Sequence, residues 1–412
     1  MQYTTQREAY GHTVTADTAP LERASLEDLL STQEIPVVPA VVPEWDWFTP
    51  SPAPHEARTE DLRRSRFCVS LVPAHNEEAT IAQVIATLRA QTRPPDDIVV
   101  VCDNCTDGTA VIAESLGVRT MHTEGNTHKK AGALNFALRQ VLPHLRDDDI
   151  VLVQDADSFL DRRFIEVTSG KLSEGFAAAG GNFRGRDGGG LCGALQRNEY
   201  ARYARDTARK DGDVLCITGV GTLFRAGALK DVAYARESGF LPDSKGGYVY
   251  SYASLTEDNE ITLALKHLGY RVMSPAEATM TTEVMLSWAE LAKQRIRWKR
   301  GAIEDLFMYG FTRHTAKGWG LQFVSVLGIL ATLAYFATLL ASPWLGFHVQ
   351  WLFVGFTGIY AIERAVTVRE RGLKISLLSM TVVGEWLFDI FLQMSQIRAI
   401  WNTVRHTERI WQ

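Results

Sequence analysis

Short apolar runs alternate with helical patterns between residues 67 and 157. Four runs of four to six mostly apolar residues are typical of buried strands. Between them, apolar residues recur every three or four positions, which predicts helices. Strands that alternate with helices of this length predict an α/β domain with a mostly parallel sheet. The predicted strands are Phe67–Val72, Ile98–Cys102, Val118–Met121 and Ile150–Gln154, and the predicted helices are Glu77–Ala90, Asp107–Leu116 and Lys130–Leu142.

The last quarter of the chain is strongly apolar. The 45 residues from Gly318 to Ile362 include no Asp, Glu, Lys or Arg. A membrane-spanning helix needs about 20 apolar residues, so this stretch has room for two spans and a turn. We expect the spans at about residues 320–341 and 346–362. Basic residues flank the pair on both sides, which by the positive-inside rule places both of its ends in the cytoplasm.

A third apolar stretch, at about residues 375–397, contains Glu385 and Asp389 one helical turn apart. Charged groups in hydrocarbon are costly, so we expect this helix to face protein or to lie at the interface without crossing. Residues 302–412 are therefore predicted to form interfacial and transmembrane helices. The sequence predicts a multi-pass protein of the cytoplasmic membrane, with its α/β domain on the cytoplasmic side.

The first 65 residues differ from the rest. Six prolines between Pro36 and Pro54 oppose both helix and central strand, so residues 1–65 are predicted to be a partly extended, proline-rich arm. The formal net charge of −5 argues against a nucleic-acid-binding protein. Five cysteines, an odd number, favour reduced thiols over a disulfide scaffold, and this includes the closely spaced Cys102 and Cys105.

Polar clusters follow three of the predicted strands. In parallel sheets the carboxyl ends of the strands meet at one edge, where ligands bind. Two carboxylates at positions i and i+2 are hard oxygen ligands that suit Mg²⁺ or Mn²⁺, which substrate phosphates often help to coordinate. The clusters are His75-Asn76-Glu77, Asp103-Asn104 and Asp155-Ala156-Asp157.

Further candidates lie downstream. Residues 219–221 break the dinucleotide-binding fingerprint, so a nicotinamide oxidoreductase is not expected, and their glycines would let the backbone approach a ligand closely. Asp258 stands at the start of a predicted helix, where it could act as a base. Gln294, Arg297 and Trp298 share one face of another helix, where Arg can pair with phosphate and Trp can stack on a sugar ring.

In order and spacing, these motifs resemble those of family 2 inverting glycosyltransferases, specifically the membrane-bound branch with cellulose, chitin and hyaluronan synthases. One motif departs from the family pattern, because Cys102 and Asn104 replace an acidic residue and a glycine, so only Asp103 is carried over. The resemblance runs from about residue 67 to 301 and rests on Pro73–Glu77, Asp103 with Thr106–Thr109, Lys130–Asn135, Asp155–Asp157, Thr218–Gly221, Thr256–Asp258 and Gln294–Trp298.

The resemblance implies a GT-A type nucleotide-sugar-binding domain at residues 66–301. It implies a nucleotide-sugar donor, expected to be a UDP-sugar, a carbohydrate, lipid or protein acceptor, and Mg²⁺ or Mn²⁺ as cofactor. Asp258 would be the catalytic base and Asp157 the metal ligand. One base without an enzyme nucleophile implies single displacement, with inversion. The donor-binding residues would be Ala74, Glu77, Asp103, Lys130, Asp155, Gln294 and Arg297, and the acceptor-binding residues Trp298, Gly219 and Glu257.

Four functions stay open at this point. The first is a polymerising synthase, and the second is a membrane-anchored transferase that adds one or few sugars to a lipid, protein or oligosaccharide. The third is a non-catalytic nucleotide- or glycan-binding membrane protein. The fourth is a sugar-nucleotide pyrophosphorylase, which shares the α/β nucleotide fold but needs no membrane tail. The sugar, the linkage and the oligomeric state are not determined by these motifs.

Overall fold

A seven-stranded, mostly parallel sheet forms the centre of the computed structural model, which describes residues 66–243, 246–345, 347–380 and 383–407. The predicted arm, residues 1–65, lies outside the described residues. The strand order is β3-β2-β1-β4-β8-β6-β9, in which β8 runs antiparallel to both of its neighbours. The strands are β1 (Cys68–Ala74), β2 (Asp97–Asp103), β3 (Arg119–Thr123), β4 (Ile150–Gln154), β6 (Ala178–Gly180), β8 (Gly221–Arg225) and β9 (Val272–Met273).

A smaller sheet lies beside the carboxyl edge of the large one. It consists of β5 (Phe159–Leu160), β10 (Thr279–Thr282) and β7 (Asn182–Gly185), in that order. The helices that accompany the two sheets are α1 (Ile81–Arg89), α2 (Thr109–Ser115), α3 (Lys129–Val141), α4 (Phe164–Ser173), α5 (Gly190–Arg209), α6 (Ala226–Glu237), α7 (Glu257–His267) and α8 (Trp288–Tyr309).

The predicted strands and helices of the first half are confirmed, because their patterns match the burial. β2 and β4 are buried along their whole length, as expected for strands covered on both faces. Helix α1 buries Ile81, Val84, Ile85 and Leu88, the stripe expected of an amphipathic helix. It begins four residues later than predicted, because residues 77–80 form a turn in which the Thr80 amide donates to the Glu77 carbonyl at 3.1 Å.

Four further helices complete the described chain: α9 (Ala316–Leu345), α10 (Phe347–Thr367), α11 (Leu373–Met380) and α12 (Val383–Val404). Of the described helices, only α9 is long and apolar enough to cross a membrane, over Ala316–Trp344. Leu330, Leu333 and Leu340 on it are exposed.

The second predicted span, residues 346–362, meets the length and composition criteria for a crossing less well than the first. It falls in α10, where only 12 residues separate Gln350 from Glu363. An apolar stretch of 10–14 residues is more typical of a buried or interfacial helix than of a transmembrane one. By composition alone, the described residues therefore support one span and not two.

The third apolar stretch is helical in its described residues, which belong to α11 and α12, and residues 381–382 between them lie outside the described residues. Its acidic residues face protein, as predicted. Glu385 is buried and pairs with Arg202 of α5 at 2.9 Å. Asp389 pairs with Arg364 of α10 and accepts a hydrogen bond from Tyr360 at 2.8 Å. These ion pairs attach the C-terminal helices to each other and to the α/β domain.

The prediction of reduced cysteines is confirmed, because all five are free thiols. Burial raises the pKa of Cys102 to about 12, with a further rise from the neighbouring Cys105. Such a thiol stays protonated at neutral pH and is a poor nucleophile. The Cys105 Sγ donates to the Ala74 carbonyl at 3.2 Å, so this cysteine has a structural role at the ends of β1 and β2.

Candidate active site

The carboxyl ends of β1, β2 and β4 meet at one edge of the large sheet. β1 ends at Ala74, β2 ends at Asp103, and Asp155 comes directly after β4. β1 pairs in parallel with both β2 and β4. Neighbouring strands lie about 4.8 Å apart, and β1 separates β2 from β4. The backbones of Asp103 and Asp155 are therefore about 10 Å apart across the sheet. The three segments converge, as the strand pattern predicts.

Lys130, in the first turn of α3, is the centre of a charged cluster. Its Nζ lies 2.6 Å from Asp155 Oδ1 and 3.0 Å from Glu257 Oε1. It also donates to the carbonyl oxygen of Gly219 at 2.8 Å. A cavity opens beside this cluster and is lined by Lys130, Gly219, Glu257 and Asp258, among others. The structure therefore brings together residues from four of the predicted motifs.

Asp258 lies in the first turn of α7, where the helix dipole favours a negative charge. Its Oδ2 accepts a hydrogen bond from the Gly219 amide at 3.1 Å, and its Oδ1 accepts one from the Asn259 amide at 2.8 Å. Burial raises the pKa of Asp258, and the negative charge of Glu257 raises it further, against the opposing effect of Lys130. A carboxylate with a raised pKa is suited to accept a proton near neutral pH.

The other charged groups of the cluster influence one another. Burial raises the pKa of Asp155 to about 6, although the Lys130 ammonium partly opposes this. Burial also acts to raise the pKa of Glu257, but Lys130 and Arg297 outweigh it and the pKa is lowered. For Lys130, burial acts to lower the pKa, but Asp155 and Glu257 dominate and the pKa is raised. Lys130 thus stays protonated, and Glu257 stays ionised beside it.

A second group of residues surrounds Asp103. Its Oδ1 accepts hydrogen bonds from Thr123 Oγ1 at 2.5 Å and from Asn126 Nδ2 at 2.8 Å. Asp103 is buried, and the side chain of Ala74 at the end of β1 is buried too. Ala74 pairs with the residue that precedes Asp103. Two predicted donor-binding residues therefore lie on adjacent strand ends.

Glu77 and Asp157 form an acidic region near the Asp155 loop. The single O–H proton of Thr80 is shared between Glu77 Oε2, 2.9 Å from Oγ1, and the Ala156 carbonyl oxygen, 2.8 Å from Oγ1. Burial raises the pKa of Glu77, and the carboxylates of Asp157 and Glu283 raise it further. Asp157 Oδ1 accepts from Ser158 Oγ at 2.8 Å.

We tested whether these side chains suit a divalent cation. Among the described residues, no group of three or more His, Cys, Asp or Glu side chains lies close enough together to hold a metal by itself. Mg²⁺, however, is commonly held by one or two carboxylates together with substrate phosphates. Asp157, near the negative charge of Glu77, provides a hard oxygen ligand of that kind. The residues fit a metal shared with a bound diphosphate.

The motif on α8 contacts the segment that leads into the cluster. Arg297 Nη1 donates to the Leu255 carbonyl at 3.4 Å, just before the Glu257-Asp258 pair. Gln294 Oε1 accepts from Arg295 Nη1 at 2.7 Å. The Arg295 guanidinium carbon is 4.4 Å from the centre of the Trp298 indole ring. Arg297 is therefore in electrostatic contact with the cluster, and Arg295 packs against the ring that was predicted to stack on the acceptor.

Sequence reasoning missed several contributors to the site. Thr123 and Asn126, which bind the Asp103 carboxylate, gave no signal, since isolated Thr and Asn residues are common in loops. Arg295, which pairs with Glu199 of α5 at 2.7 Å, was overlooked inside its motif. Glu283 directly follows β10, and an acidic residue after a strand would have been informative. However, β10 reads Thr-Met-Thr-Thr and lacks the apolar run of a recognisable strand.

Comparison with known proteins gives one family match. A family model described as "Glycosyltransferase like family 2" matches residues 67–301. The poly-beta-1,6-N-acetyl-D-glucosamine synthase of Staphylococcus aureus (strain COL) is 27% identical over 280 residues, which cover 64% of this chain and 63% of the synthase. The synthase of that name from Staphylococcus epidermidis is 27% identical over 245 residues, with 57% and 54% covered. The match thus spans less than two thirds of these curated relatives.

Two solved structures superpose on this chain. A mannosyltransferase from Pyrobaculum calidifontis, solved in complex with GDP-Man and Mn²⁺, superposes with a TM-score of 0.49 and 18% identity, over 84% of this chain and 89% of that one. TarS of S. aureus superposes with a TM-score of 0.38 and 19% identity, over 58% of this chain and 40% of that one.

Proposed function

Because the chain belongs to glycosyltransferase-like family 2, we propose that it is a membrane-bound inverting enzyme that transfers a sugar from a UDP-sugar to an acceptor hydroxyl. Its α/β domain with the mostly parallel sheet is of the GT-A type. The chain is therefore a glycosyltransferase, which sets aside the non-catalytic and pyrophosphorylase alternatives. The donor, the acceptor and the mechanism are the proposal.

The observation that carries the mechanism is the placement of Asp258. Its carboxylate is held by two backbone amides at the start of α7, beside a cavity, and its pKa is raised by burial and by Glu257. An acceptor hydroxyl is a poor nucleophile, so a base must remove its proton during the attack. In the proposed reaction the acceptor oxygen bonds to the anomeric carbon, the bond from that carbon to the diphosphate breaks, and the proton passes to Asp258.

The roles proposed for the remaining site residues are those that the resemblance to family 2 implies. Ala74, Glu77 and Asp103 at the strand ends would hold the nucleotide. Arg297, whose positive charge acts on Glu257, would stabilise the charge of the leaving diphosphate.

On the other side of the reacting carbon, Gly219, Glu257 and Trp298 would contact the acceptor. Gln294 and Asp155 would complete the donor side. Asp157 would hold Mg²⁺ or Mn²⁺ together with the diphosphate, and the bound cation would supply positive charge to the leaving group.

We propose that α9 and α10 form a membrane hairpin. α9 begins next to the α/β domain, and α10 returns to it. The Val366 carbonyl near the end of α10 accepts from Arg205 of α5 at 2.5 Å, and Arg364 pairs with Asp389 of α12. If α9 crosses the bilayer, α10 must therefore cross back, despite its shorter apolar stretch. Arg313 before α9 and Lys317 in its first turn favour a cytoplasmic location for the catalytic domain.

The names of the relatives favour polysaccharide synthesis over a single addition. Both synthases named above make poly-N-acetylglucosamine by their names. UDP-N-acetylglucosamine is therefore the first donor to test. A non-processive transferase that adds one or few sugars to a lipid, protein or oligosaccharide is the alternative. Sizing the product from labelled donor separates the two, since a synthase gives a ladder or a polymer and the alternative gives one or a few discrete products.

The central test uses a panel of UDP- and GDP-sugars with Mn²⁺ or Mg²⁺ and the detergent-solubilised chain. We expect the wild-type protein to transfer sugar from one of them. Asp258→Asn should keep donor affinity and lose at least about 10²-fold in kcat, the low end for the loss of a general base. The matched control is Asp148→Asn, at the opposite edge of the sheet, which should behave like wild type. Normal turnover by Asp258→Asn would remove Asp258 from the role of base.

A further inference from the structure

The contacts of the Lys130 ammonium group differ from those expected of a residue that binds the nucleotide-sugar donor. An ammonium group has three N–H donors. Three protein acceptors lie within 3.0 Å of Nζ: Asp155 Oδ1 at 2.6 Å, the Gly219 carbonyl at 2.8 Å and Glu257 Oε1 at 3.0 Å. The side chain is only 25% exposed. The three N–H groups of Lys130 are therefore matched by three acceptors within the protein.

These acceptors come from three separate segments. Asp155 follows β4, Gly219 precedes β8, and Glu257 is the first residue of α7. Gly219 links Lys130 to the base, since its carbonyl oxygen accepts from Lys130 and its N–H, in the preceding peptide group, donates to Asp258 Oδ2 at 3.1 Å. The approach is close, because a Cβ at Gly219 would lie only 3.1 Å from that oxygen. A shift of the Gly219 backbone would therefore move the carboxylate of Asp258.

We propose that Lys130 is a positioning residue for Asp258. It acts by fixing the backbone of Gly219 and the side chain of Glu257, which lie on either side of the base. This inference rests on the proposed function, in which Asp258 accepts the proton of the acceptor hydroxyl. A positioning residue affects the chemical step more than donor binding. A donor ligand would affect donor affinity first. The two roles are therefore separable by measurement.

The charge of Lys130 gives a second, independent signature. Without it, Asp155, Glu257 and Asp258 lie together with one cation fewer, and neighbouring like charges raise the pKa of a carboxyl group. Loss of Lys130 should therefore raise the pKa of Asp258, so that the base becomes protonated at a higher pH. The charged and titratable groups that act on Asp258 or respond to it are Glu257 on α7, Lys130 on α3, Arg297 on α8, Tyr203 on α5, Cys216 before β8 and Tyr250 before α7.

The experiment compares Lys130→Met with wild type in full-length, detergent-solubilised protein. Titration with UDP and with GDP, each with MnCl₂, measures nucleotide affinity, and transfer assays give kcat as a function of pH. We expect kcat to fall about 10²-fold, as for a misplaced catalytic group. The Kd for the nucleotide should change by less than about threefold, because no binding contact is removed. The acidic limb of the kcat profile should move to higher pH.

Three further variants separate the loss of this link from a general loss of structure or charge. Lys129→Met removes an exposed lysine next in sequence and should leave kcat, Kd and the pH profile unchanged. Lys130→Arg keeps the charge, so its acidic limb should stay near the wild-type position even where kcat falls. If Lys130→Met does not fold, Gly219→Ala tests the same link, since the added Cβ would crowd Asp258; it should lower kcat and leave the nucleotide Kd unchanged.

The outcomes separate this inference from the proposed function. A rise of about tenfold or more in the nucleotide Kd of Lys130→Met, with kcat and the acidic limb unchanged, would make Lys130 a donor ligand and overturn the inference alone. An unchanged kcat in Lys130→Met, whatever its nucleotide Kd, would also overturn the inference. If the wild-type chain transfers no sugar from any donor of the panel, the proposed function fails and the inference falls with it.

Discussion

Asp305 shows how strongly burial changes a single carboxyl group in this protein. It lies on α8 with none of its surface exposed. Its Oδ2 accepts from Thr256 Oγ1 at 3.2 Å and from Asn259 Nδ2 at 2.7 Å, on either side of Asp258 in sequence. Burial raises its pKa to about 8, although these hydrogen bonds oppose the rise. With this pKa, Asp305 is protonated at neutral pH, and as a neutral group it bonds to Thr256 and Asn259, which flank the proposed base in sequence.

This protonation predicts that Asp305→Asn stabilises the protein at alkaline pH. The pKa of Asp305 is higher in the folded state than in the unfolded state. Its contribution to the free energy of unfolding is therefore complete below about pH 4 and is lost as the pH rises toward 8. The loss is at most about 1.4 kcal/mol per pH unit. Asparagine has a similar shape and does not titrate. Thermal unfolding should show a larger gain in Tm for Asp305→Asn at pH 8 than at pH 5. A gain of equal size at both values would contradict a raised pKa, and exposed Asp148→Asn serves as the control.

At the scale of elements, a close contact between α8 and the start of α7 positions the helix that carries the proposed base. Gly301 of α8 approaches Thr256, the residue that precedes α7. A Cβ at Gly301 would lie 2.4 Å from Thr256 Oγ1 and 2.7 Å from its Cγ2. Both atoms belong to a β-branched side chain, whose rotamer is restricted, so the clash cannot be relieved by rotation at little cost. Only glycine lets the two helices meet at this distance.

We therefore predict that Gly301→Ala is destabilising. Overpacking of this kind typically costs about 1–3 kcal/mol, and the displaced α7 should also lower kcat. Gly170→Ala in α4 is the matched control, because nothing lies within 4 Å of its added Cβ and alanine favours helix by up to about 1 kcal/mol. Thermal unfolding and transfer assays of both variants check the prediction. A Gly301→Ala protein as stable and active as Gly170→Ala would show that the helices can separate without penalty.

At the scale of the whole molecule, α9 exposes a long apolar surface. Leu330 and Leu333 are 56% and 60% exposed, and only 6% of the most apolar part of the helix is buried. The proposed function places this surface in lipid, where it would be stable.

The chain should therefore remain in the membrane pellet after alkaline carbonate extraction. A Leu330→Lys/Leu333→Lys double variant should shift toward the supernatant, since a lysine at the centre of a span costs about 2.5–3.5 kcal/mol. Leu286→Lys changes an exposed leucine of the catalytic domain, 69% exposed, and should leave extraction unaltered. Release of the wild-type chain by carbonate would refute a spanning α9.

The sequence by itself determined the local elements of this protein and the residue types at its site. β4 is a continuous apolar run, and the Asp155-Ala156-Asp157 turn follows it directly, so both could be read from neighbouring positions. The same holds for α9, which is apolar over its length. Patterns of this kind depend on residues that are close in the chain, and they are therefore visible without a fold.

Only the tertiary structure decided which of these residues meet. The contact of Lys130 with Gly219, 89 positions away, and the approach of Gly301 to Thr256 arise from the packing of separate segments. The contacts of α10 were likewise set between distant segments, by a hydrogen bond from Arg205 of α5 and an ion pair with Asp389 of α12, which its composition does not indicate. Such contacts depend on the three-dimensional arrangement of many side chains, and no local periodicity encodes them.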